Sequence, residues 1–520
     1  MMGYQAWAPL AYWPLVTLPD EFAAAQGVNV ARWSDRGYLS RTSDAMPNKL
    51  YEARLMGDVE ISQSIVDALT VGNAIATTIS EIELWNGDEA LNNIAANGGM
   101  DGRAIVIKSS QITNFATSDC GGALDNAVVV WRGIVTRVDV LGLRARIAMN
   151  DLSGRLDTLL VGSTYDGLGG LGGIEELKGQ RKPVSVGYRF NVQPTYIGLV
   201  DLGDGMLPTY QTHYRSMRGH LSVRIRGVEQ VSVGNAPGIG QYVDRPSNGC
   251  FQLGGSADGQ VNCDVEGDNV GSYKRSLTDI LRFILLDGGP GFSESDLDAQ
   301  SWFELGGSYA TECGWGHGTE PITGTSALNT VLSSVGGGFM HGTRAGKLAV
   351  GCVCKPSVAP RVFLTLPDII KIEQQTTPAS VAPTPQAVQV RAARNWHVVD
   401  DPAGSVTADE AARLNSTGAL ARSFSNQIAA RSVNVREFTV EGLYRFEADA
   451  LARAVEIRQW LERGLRLFEV TTDRYLGVVE IGMTVSITYP YYGLTNGWSG
   501  IIVGWSEQMG ARRLTMQVLG

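Results

Sequence analysis

The sequence predicts an α+β, β-rich protein made of several small barrel-like or sandwich-like domains with a few helices. Glycine is abundant, at 63 of 520 residues against a typical ~7%, and charged residues make up only 18%. Short apolar–polar alternations of period two recur along the chain, and turn residues separate them. With 44% hydrophobic residues, the chain can fill about three or four packed cores.

Residues 1–50 are predicted to form an N-terminal arm that packs on another domain or subunit. The apolar run Ala6–Leu18 has no basic region before it and is interrupted by Pro9 and Pro14, so it is a poor signal peptide. We therefore expect synthesis in the cytosol, with reduced cysteines. Four aromatic residues of the arm fit either sugar stacking or burial at a subunit contact: Tyr4, Trp7, Tyr12 and Trp13.

Residues 51–160 are predicted to form a β-rich domain. Ile82 and Leu84 alternate with acidic residues, and Asn86–Asp88 reads as a turn before a short helix over Leu91–Ala96. Three further strands are predicted from β-branched, alternating segments: Arg103–Lys108, Val128–Val138 and Leu143–Met149.

Residues 161–270 are predicted to form a second β-rich domain that begins with a glycine-rich connector, Gly162–Gly187. No Gly-Lys-Ser/Thr follows these glycines, so turn chemistry is favoured over a phosphate loop. The basic cluster Lys178–Lys182, with Arg181 inside it, fits a solvated turn, with a phosphate site as the alternative. Leu221, Val223 and Ile225 alternate with polar residues, which predicts a strand.

Residues 271–385 are predicted to form an α+β domain followed by a linker. One helix is expected over Ser276–Leu286, with Ser276 as its N-cap. A second is expected over Ala327–Val335, where Gly336–Gly338 ends it. The proline-rich stretch Pro356–Pro385 is expected to link this domain to the last one.

Residues 386–520 are predicted to form a C-terminal barrel-like domain with one helix and a β-meander. The polar residues Asp449, Arg453 and Glu456 are expected on one helix face, and Gly464 as the C-cap. Three strands should follow: one at 483–489, one at 498–505 and a last one in which Leu514, Met516 and Val518 alternate with polar residues. Five residues at steps of three and four define the apolar helix face: Phe446, Ala450, Ala454, Ile457 and Leu461.

No catalytic or cofactor site is predicted, and the chain is expected not to be an enzyme. It contains no Gly-x-Ser-x-Gly motif and no His-Glu-x-x-His motif. Four carboxylates lie close together in sequence and fit either helix capping or the acid pair of a glycan-cleaving site: Glu294, Asp296, Asp298 and Glu304.

The cysteines leave two questions open. Cys250 and Cys263 flank a Gly-Gly pair and could meet across a hairpin, although cytosolic assembly opposes a disulfide. A soft-metal site is an alternative to simple burial for four residues: Cys313, His317, Cys352 and Cys354. No bound metal is the preferred expectation.

Net charge and hydropathy argue against two kinds of partner, nucleic acid and the membrane interior. The formal net charge of −10, from 53 acidic and 43 basic residues, argues against general nucleic-acid affinity. No run of eighteen apolar residues occurs, so no membrane span is expected.

The C-terminal segments Gly482–Val485, Tyr489–Leu494 and Leu514–Gly520 resemble the C-terminal barrel of baseplate hub and tail-tip proteins of long-tailed bacteriophages. Relatives often carry Asp where this chain has Met483, at a turn. Six further segments resemble the family in the same order, from Gly154 onwards: Leu177–Pro183, Asn191–Pro194, Asp296–Trp302, Ala327–Leu332, Gly346–Gly351 and Asn395–Trp396.

The resemblance implies a virion protein of the tail tip, assembled in the host cytoplasm as a homotrimeric hub ring. Its expected partners are the distal tail protein, the tape measure and the tip or fibre proteins. The ring would open for DNA passage, and acidic walls would repel the DNA phosphates. Three alternatives are a distal tail protein, which would form a hexamer, a receptor- or glycan-binding tail protein, and a tail-associated cell-wall hydrolase.

Overall fold

The computed structural model describes residues 12–17, 31–35, 37–65, 75, 77–92, 102–111, 124–160, 162–354, 359–378, 383–430 and 436–520. Within them the chain is a β-rich α+β protein with several sheets, which confirms the predicted fold class. Strands from the first half of the chain are β1 (Tyr12–Thr17), β2 (Arg32–Ser34), β3 (Tyr38–Leu39), β4 (Leu50–Ala53), β5 (Leu55–Ser64), β6 (Thr77–Trp85), β7 (Ala104–Gln111), β8 (Val128–Leu141), β9 (Arg144–Asn150), β10 (Val184–Val192), β11 (Thr195–Asp201), β12 (Met206–Gln211), β13 (Met217–Ile225), β14 (Val228–Glu229), β15 (Val231–Val233), β16 (Gln241–Arg245), β17 (Cys250–Leu253) and β18 (Val261–Asp268).

The second half contains the remaining strands and the described α-helices. The strands are β19 (Gly314–His317), β20 (Gly338–Gly342), β21 (Leu348–Cys352), β22 (Val362–Leu364), β23 (Lys371–Gln375), β24 (Ala387–Ala392), β25 (Ala419–Phe424), β26 (Glu437–Tyr444), β27 (Leu467–Thr472), β28 (Thr484–Ile487), β29 (Trp498–Gln508) and β30 (Arg513–Leu519). The helices are α1 (Leu277–Arg282), continued by a π turn over Phe283–Asp287, then α2 (Ala299–Ser308), α3 (Gly324–Ser333), α4 (Ala408–Asn415), α5 (Asn426–Ala429) and α6 (Glu447–Leu461).

The main sheet contains fifteen strands, drawn from both ends of the chain. Thirteen follow the order β23-β27-β30-β29-β5-β6-β9-β8-β7-β1-β2-β4-β3, and β28 and β22 extend it from β29. The sheet does not close on itself within the described residues, so sandwich-like packing describes it better than a barrel. The predicted N-terminal arm supplies β1, which pairs with β7 at Leu15 and Lys108.

Strand β29 joins the end of the chain to its beginning. Its second half pairs antiparallel with β5, from Gly504 opposite Ser64 to Gln508 opposite Glu60. Its first half pairs with β28, at Ile501 opposite Thr484, and its other edge pairs with β30. Backbone hydrogen bonds therefore connect segments more than four hundred residues apart in sequence.

The predicted closing meander is confirmed. Leu514, Met516 and Val518 of β30 are all fully buried, as their alternation predicts. Phe468 on β27 is also fully buried, and its ring meets Trp498 edge-on with centroids 5.0 Å apart. These side chains belong to the large core cluster, because period-two alternation turns one face of each strand inward.

Two five-stranded sheets lie in the middle region and follow the predicted second β-rich part. One has the order β14-β13-β18-β10-β19, and the other has the order β11-β12-β17-β16-β15. Val223 on β13 and Phe251 on β17 are fully buried in the core cluster between them. Inside the glycine-rich connector, Gly167 and Gly173 adopt positive φ angles of 74° and 77°, as turn chemistry requires.

Helix α6 confirms most of its predicted pattern and corrects two residues. Ala450, Ala454 and Ile457 are buried, and Gly464 adopts a positive φ of 70° just past the helix. Phe446, predicted on the apolar face, is the N-cap and is 50% exposed, because the helix begins after it. Arg453, predicted on the polar face, is buried at 3% exposure, since its guanidinium donates to backbone carbonyls of another segment.

The helices at 276–286 and 327–335 are found close to their predicted positions. Ser276 caps α1 with a reciprocal capping box to Asp279, and α3 ends before Gly336. The predicted linker Pro356–Pro385 instead contributes β22 and β23 to the main sheet. Val362–Leu364 pairs with β28 and Lys371–Gln375 pairs with β27, because each carries an apolar residue inward.

Two sequence predictions are not settled by these elements. The predicted helix at Leu91–Ala96 lies mostly outside the described residues. The five-part division (1–50, 51–160, 161–270, 271–385, 386–520) stays a prediction, although its first two and last two parts share strands of one sheet. Among the described helices, none has the length and apolar character needed to cross a membrane.

Candidate functional site: the hairpin junction and its cleft

A cleft of about 360 Å³ lies where α2, the β20–β21 hairpin and the start of the closing meander meet. We call it the junction cleft. Its titratable lining comes from these three parts and from the residue before β22: Asp298, Glu304, His341, Cys352, Glu480 and Arg361. Met483, where relatives in the similar family often carry Asp, also lines the junction cleft. Its N–H donates to the Glu480 carbonyl at 3.4 Å, which closes the turn before it.

The tight turn of the β20–β21 hairpin carries the residue that anchors it. The N–H of Thr343 donates to Lys347 at 2.7 Å, and the N–H of Gly346 donates back to Thr343 at 2.9 Å. This turn places Arg344 at the hairpin tip, where the side chain is 5% exposed. A charge buried this deeply requires a partner.

Arg344 has its partner on β29 of the main sheet. Its Nη2 donates to Glu507 Oε2 at 2.7 Å, and the Glu507 side chain is 4% exposed. The guanidinium lies 3.9 Å from the ring centre of Trp505 and donates through Nε to the Val479 carbonyl at 2.9 Å. It also donates to the Val130 carbonyl of β8 at 3.4 Å, so one side chain joins three segments of the chain.

A buried amide anchors the last residue of β20, next to the same turn. Gln63 on β5 donates from Nε2 both to Asp151 Oδ2 and to the Gly342 carbonyl, each at 3.0 Å. Gln63 is 3% exposed and Asp151 is fully buried. The turn end of the hairpin is therefore held on the main sheet by two sets of hydrogen bonds, one at Gly342 and one at Arg344.

Each of the four carboxylates of the sequence hypothesis has a cap or side-chain partner. Asp298 caps α2 by accepting from the Ser301 N–H at 2.9 Å, and Asp296 forms a capping box with Ser293. These contacts confirm the helix-cap interpretation for both. Glu294 pairs with Arg282, away from the cleft lining, and Glu304 accepts from Gln300 at 2.6 Å.

A Thr–His–Asp arrangement occurs that sequence reasoning missed. Thr212 Oγ1 lies 2.8 Å from His220 Nε2, and His220 Nδ1 lies 2.7 Å from Asp244 Oδ1. The geometry resembles a nucleophile, base and orienting acid. Yet Thr212 and His220 are 1% and 6% exposed, so the hydroxyl has no open path to a substrate. The three residues instead hydrogen-bond β12, β13 and β16 together.

A second histidine lies in a buried charge network. His213 Nδ1 accepts the Ser185 N–H at 3.1 Å, so its Nε2 donates to Asp268 at 3.1 Å. Burial raises the pKa of Asp268, but hydrogen bonds from His213, Arg215 and Lys274 outweigh it and hold the pKa far below its ordinary value. Burial also lowers the pKa of His213, which keeps this imidazole neutral.

The five cysteines in the part of the chain that the structure describes are free thiols. Cys250 lies on β17 and Cys263 on β18, in different sheets, and neither is bonded. Cys352 and Cys354 lie side by side, whereas His317 donates to the neighbouring Gly318 carbonyl at 2.9 Å. No group of three or more His, Cys, Asp or Glu side chains that could hold a metal occurs in the described part of the chain.

Two other sequence candidates are placed only in part. Tyr4 and Trp7 lie outside the described residues, and of Tyr12 and Trp13 only the β1 backbone is described. In the basic cluster, Lys182 donates to the Leu171 carbonyl at 2.8 Å and lies 5.3 Å from the Tyr165 ring centre, so it stabilises the glycine-rich turn.

Large apolar side chains are exposed beside β22 and β23. Phe363, Leu366, Ile370 and Val478 are each 54% to 57% exposed, and we call them the apolar margin. Two contacts link Phe363 to Val478 through Tyr475: Tyr475 Oη donates to the Phe363 carbonyl at 3.0 Å, and the Val478 N–H donates to the Tyr475 carbonyl at 3.2 Å. Large contiguous patches of exposed apolar side chains often mark sites where another protein binds.

Comparison with known proteins gives structural neighbours only. No family model matches the sequence, and no curated protein matches it. The chain is similar to a tail protein from Neisseria meningitidis MC58 at TM-score 0.43 and 10% identity, covering 98% of this chain and 97% of that one.

Two further neighbours are prophage tail proteins. The gp18 tail protein from Listeria monocytogenes EGD-e gives TM-score 0.41 and 9% identity over 98% of this chain and 94% of that one. The 43 kDa tail protein of prophage MuSo2 from Shewanella oneidensis gives TM-score 0.38 and 10% identity over 90% and 95%. With TM-scores below 0.5, these likenesses do not by themselves define the fold or the function of this chain.

Proposed function

We propose that the chain is a structural, non-enzymatic subunit of a phage-like tail tip, located in the virion as a baseplate hub ring of three copies. The ordered resemblance of segments between Gly154 and Gly520 to the hub family supports this proposal. The partners would be the distal tail protein, the tape measure and the tip or fibre proteins, and the ring would open for DNA passage.

The observation that carries the proposal is the joining of both chain ends in one sheet. Strand β29 pairs antiparallel with β5, and hydrogen bonds of Arg344 and Gln63 hold the β20–β21 hairpin on this sheet. The antiparallel ladders hold these distant segments together through paired backbone hydrogen bonds. That architecture suits a part that transmits load between neighbours more than one that turns over substrate.

The apolar margin supplies the surface that a ring needs. Obligate interfaces are wide and apolar, and exposed side chains such as Phe363 and Leu366 would lose their contact with water there. Strand β22 has Phe363 outward between two buried residues, so this edge presents an apolar side chain beside its backbone. We propose that the apolar margin lies in the contact between subunits.

Mass measurement of the purified protein tests the copy number. Three copies would give three times the chain mass of 55.8 kDa. Six copies would favour a distal tail protein instead. A monomer at all micromolar concentrations would contradict a ring of either kind.

A paired variant tests the surface. Leu366→Glu with Val478→Glu places two charges in the apolar margin and should lower the assembly to monomers without changing the melting temperature by much. The matched control is Leu168→Glu, at a side chain that is 85% exposed in the glycine-rich connector. Equal assembly of both variants would remove the apolar margin from the contact.

A further inference from the structure

Two cysteines lie together where the β20–β21 hairpin meets α6. Cys352 ends β21, and Cys354 follows two residues later in a turn, where its thiol donates to the Gly336 carbonyl at 3.2 Å. Both sulfurs also crowd Gly337: a Cβ there would lie 3.2 Å from Cys354 Sγ and 3.9 Å from Cys352 Sγ. Residues two apart have Cα atoms no more than about 7 Å from each other, and a turn shortens this into the range of disulfides.

A buried guanidinium lies against one of the two sulfurs. Arg453 on α6 is 3% exposed, and its Nη2 lies 3.1 Å from Cys352 Sγ. The same guanidinium donates to the Val335 carbonyl at 2.6 Å and pairs with Glu456. These contacts fix its position, so the positive charge stays beside Cys352.

The surroundings make the two thiols unequal. Hydrogen bonding from Cys354 is the largest influence on the pKa of Cys352, and it lowers that pKa. Burial raises the pKa, but the Cys354 hydrogen bond, Arg453 and Tyr309 together outweigh burial and lower it to about 5. Burial raises the pKa of Cys354 well above its ordinary value. A thiolate beside a protonated thiol is the pairing in which one sulfur attacks an oxidant and the other resolves the product.

Each cysteine lines a cleft, although both are buried, at 6% exposure for Cys352 and 8% for Cys354. Cys352 lines the junction cleft, and Cys354 lines a second cleft of about 490 Å³ with Glu456 and Trp460. Cys313 differs from Cys352 in its pKa and in its exposure, because burial raises its pKa to about 12 and it is only 2% exposed. A small oxidant can therefore approach the pair, and Cys313 provides a matched internal reference.

We propose that Cys352 and Cys354 form a peroxide-sensitive dithiol that closes to an intramolecular disulfide. The Cys352 thiolate attacks one oxygen of hydrogen peroxide, the O–O bond breaks, and Cys352 sulfenic acid and hydroxide form. The Cys354 thiol then attacks the Cys352 sulfur. The S–O bond breaks, the hydroxyl leaves as water with the thiol proton, and peroxide is reduced while both thiols are oxidised.

The disulfide would change the contact between the hairpin and α6. Arg453 would lose its charged sulfur acceptor and keep Glu456 as its nearby counter-charge. Oxidation is therefore expected to lower the melting temperature of this region, and a thiol reductant to restore it. This inference is independent of the proposed function, because it depends only on the chemistry of the pair.

The test uses the full-length protein. After brief exposure to hydrogen peroxide, the remaining thiols are alkylated in denaturant and trypsin releases Leu348–Arg361, which holds both cysteines. We expect this peptide to carry no alkyl group and to weigh two hydrogens less than the free dithiol peptide, and to reach this form at least about tenfold faster than Cys313 loses its thiol. Dithiothreitol should restore alkylation. If both cysteines remain alkylated when Cys313 is already oxidised, the proposal fails.

Two variants assign the roles. In Cys354→Ser, Cys352 should stop at sulfenic acid, which dimedone traps as an adduct at that residue. In Cys352→Ser, Cys354 should be oxidised as slowly as Cys313 is. Equal oxidation of the single cysteines in the two variants would overturn the division into attacking and resolving thiols.

Discussion

The buried pair of Arg344 and Glu507 gives the sharpest test of how the hairpin is held. Replacing Glu507 with Gln keeps the size of the side chain but leaves the guanidinium buried without its counter-charge. Breaking a buried pair by removing one partner costs about 3–5 kcal/mol. Because the Trp505 ring and the Val479 carbonyl still contact the guanidinium, we expect the lower end, about 3 kcal/mol.

Hydrogen exchange measured by mass spectrometry is the assay, because a chain of this length need not unfold in one step. A loss of about 3 kcal/mol should speed the exchange of the β29 amides by roughly a hundredfold where local opening limits it. The double variant Arg344→Met with Glu507→Leu removes both charges and should recover most of the loss.

The matched control is an exposed ion pair. Arg226 and Asp401 lie 2.7 Å apart, but their side chains are 37% and 85% exposed, so Asp401→Asn should cost less than about 1 kcal/mol. If Glu507→Gln and Asp401→Asn change amide hydrogen exchange and melting temperature equally, the reasoning about the buried Arg344–Glu507 pair is refuted.

Two further predictions concern the backbone and pH. Gly337→Ala should destabilise the protein by more than about 1 kcal/mol, because the residue has a φ of 115° and the new Cβ would lie 2.7 Å from Val353 Cγ2. The control is Gly307→Ala, because a Cβ on Gly307 of α2 meets no atom within 4 Å. Equal melting temperatures for the two variants would contradict the argument. Burial lowers the pKa of His317 to about 4, so its contribution is complete above pH 6.5 and is lost as the pH falls towards 4. His317→Gln should therefore flatten the fall in melting temperature between pH 7 and 4.5, and an unchanged slope would reject this assignment.

Local patterns predicted the elements well where one face of an element meets the core. The alternation of Leu514, Met516 and Val518 predicted a strand with that face buried, and the cap at Ser276 predicted the start of α1. Phe446 failed because the helix begins one residue later, and an N-cap side chain does not lie on the helix face. These are errors of one residue at a boundary, where sequence signals are weakest.

Arg453 failed for a different reason. Its place in the helix period assigned it to water, but the carbonyls of Val335 and Gly336 and the sulfur of Cys352 approach it from the hairpin region. No pattern within the helix reports those neighbours. The strands β22 and β23 were likewise hidden in a proline-rich stretch, since only their pairing with β28 and β27 makes them strands.

The sequence by itself determined the β-rich α+β class, the closing meander and most helix positions, because period, caps and turn residues act over a few neighbours. Only the tertiary structure decided that the two ends of the chain share one sheet, that Arg344 finds Glu507, and that Cys352 meets Arg453. Those pairs are more than one hundred residues apart in sequence. Their meeting depends on which surfaces pack together, and local periodicity carries no record of that.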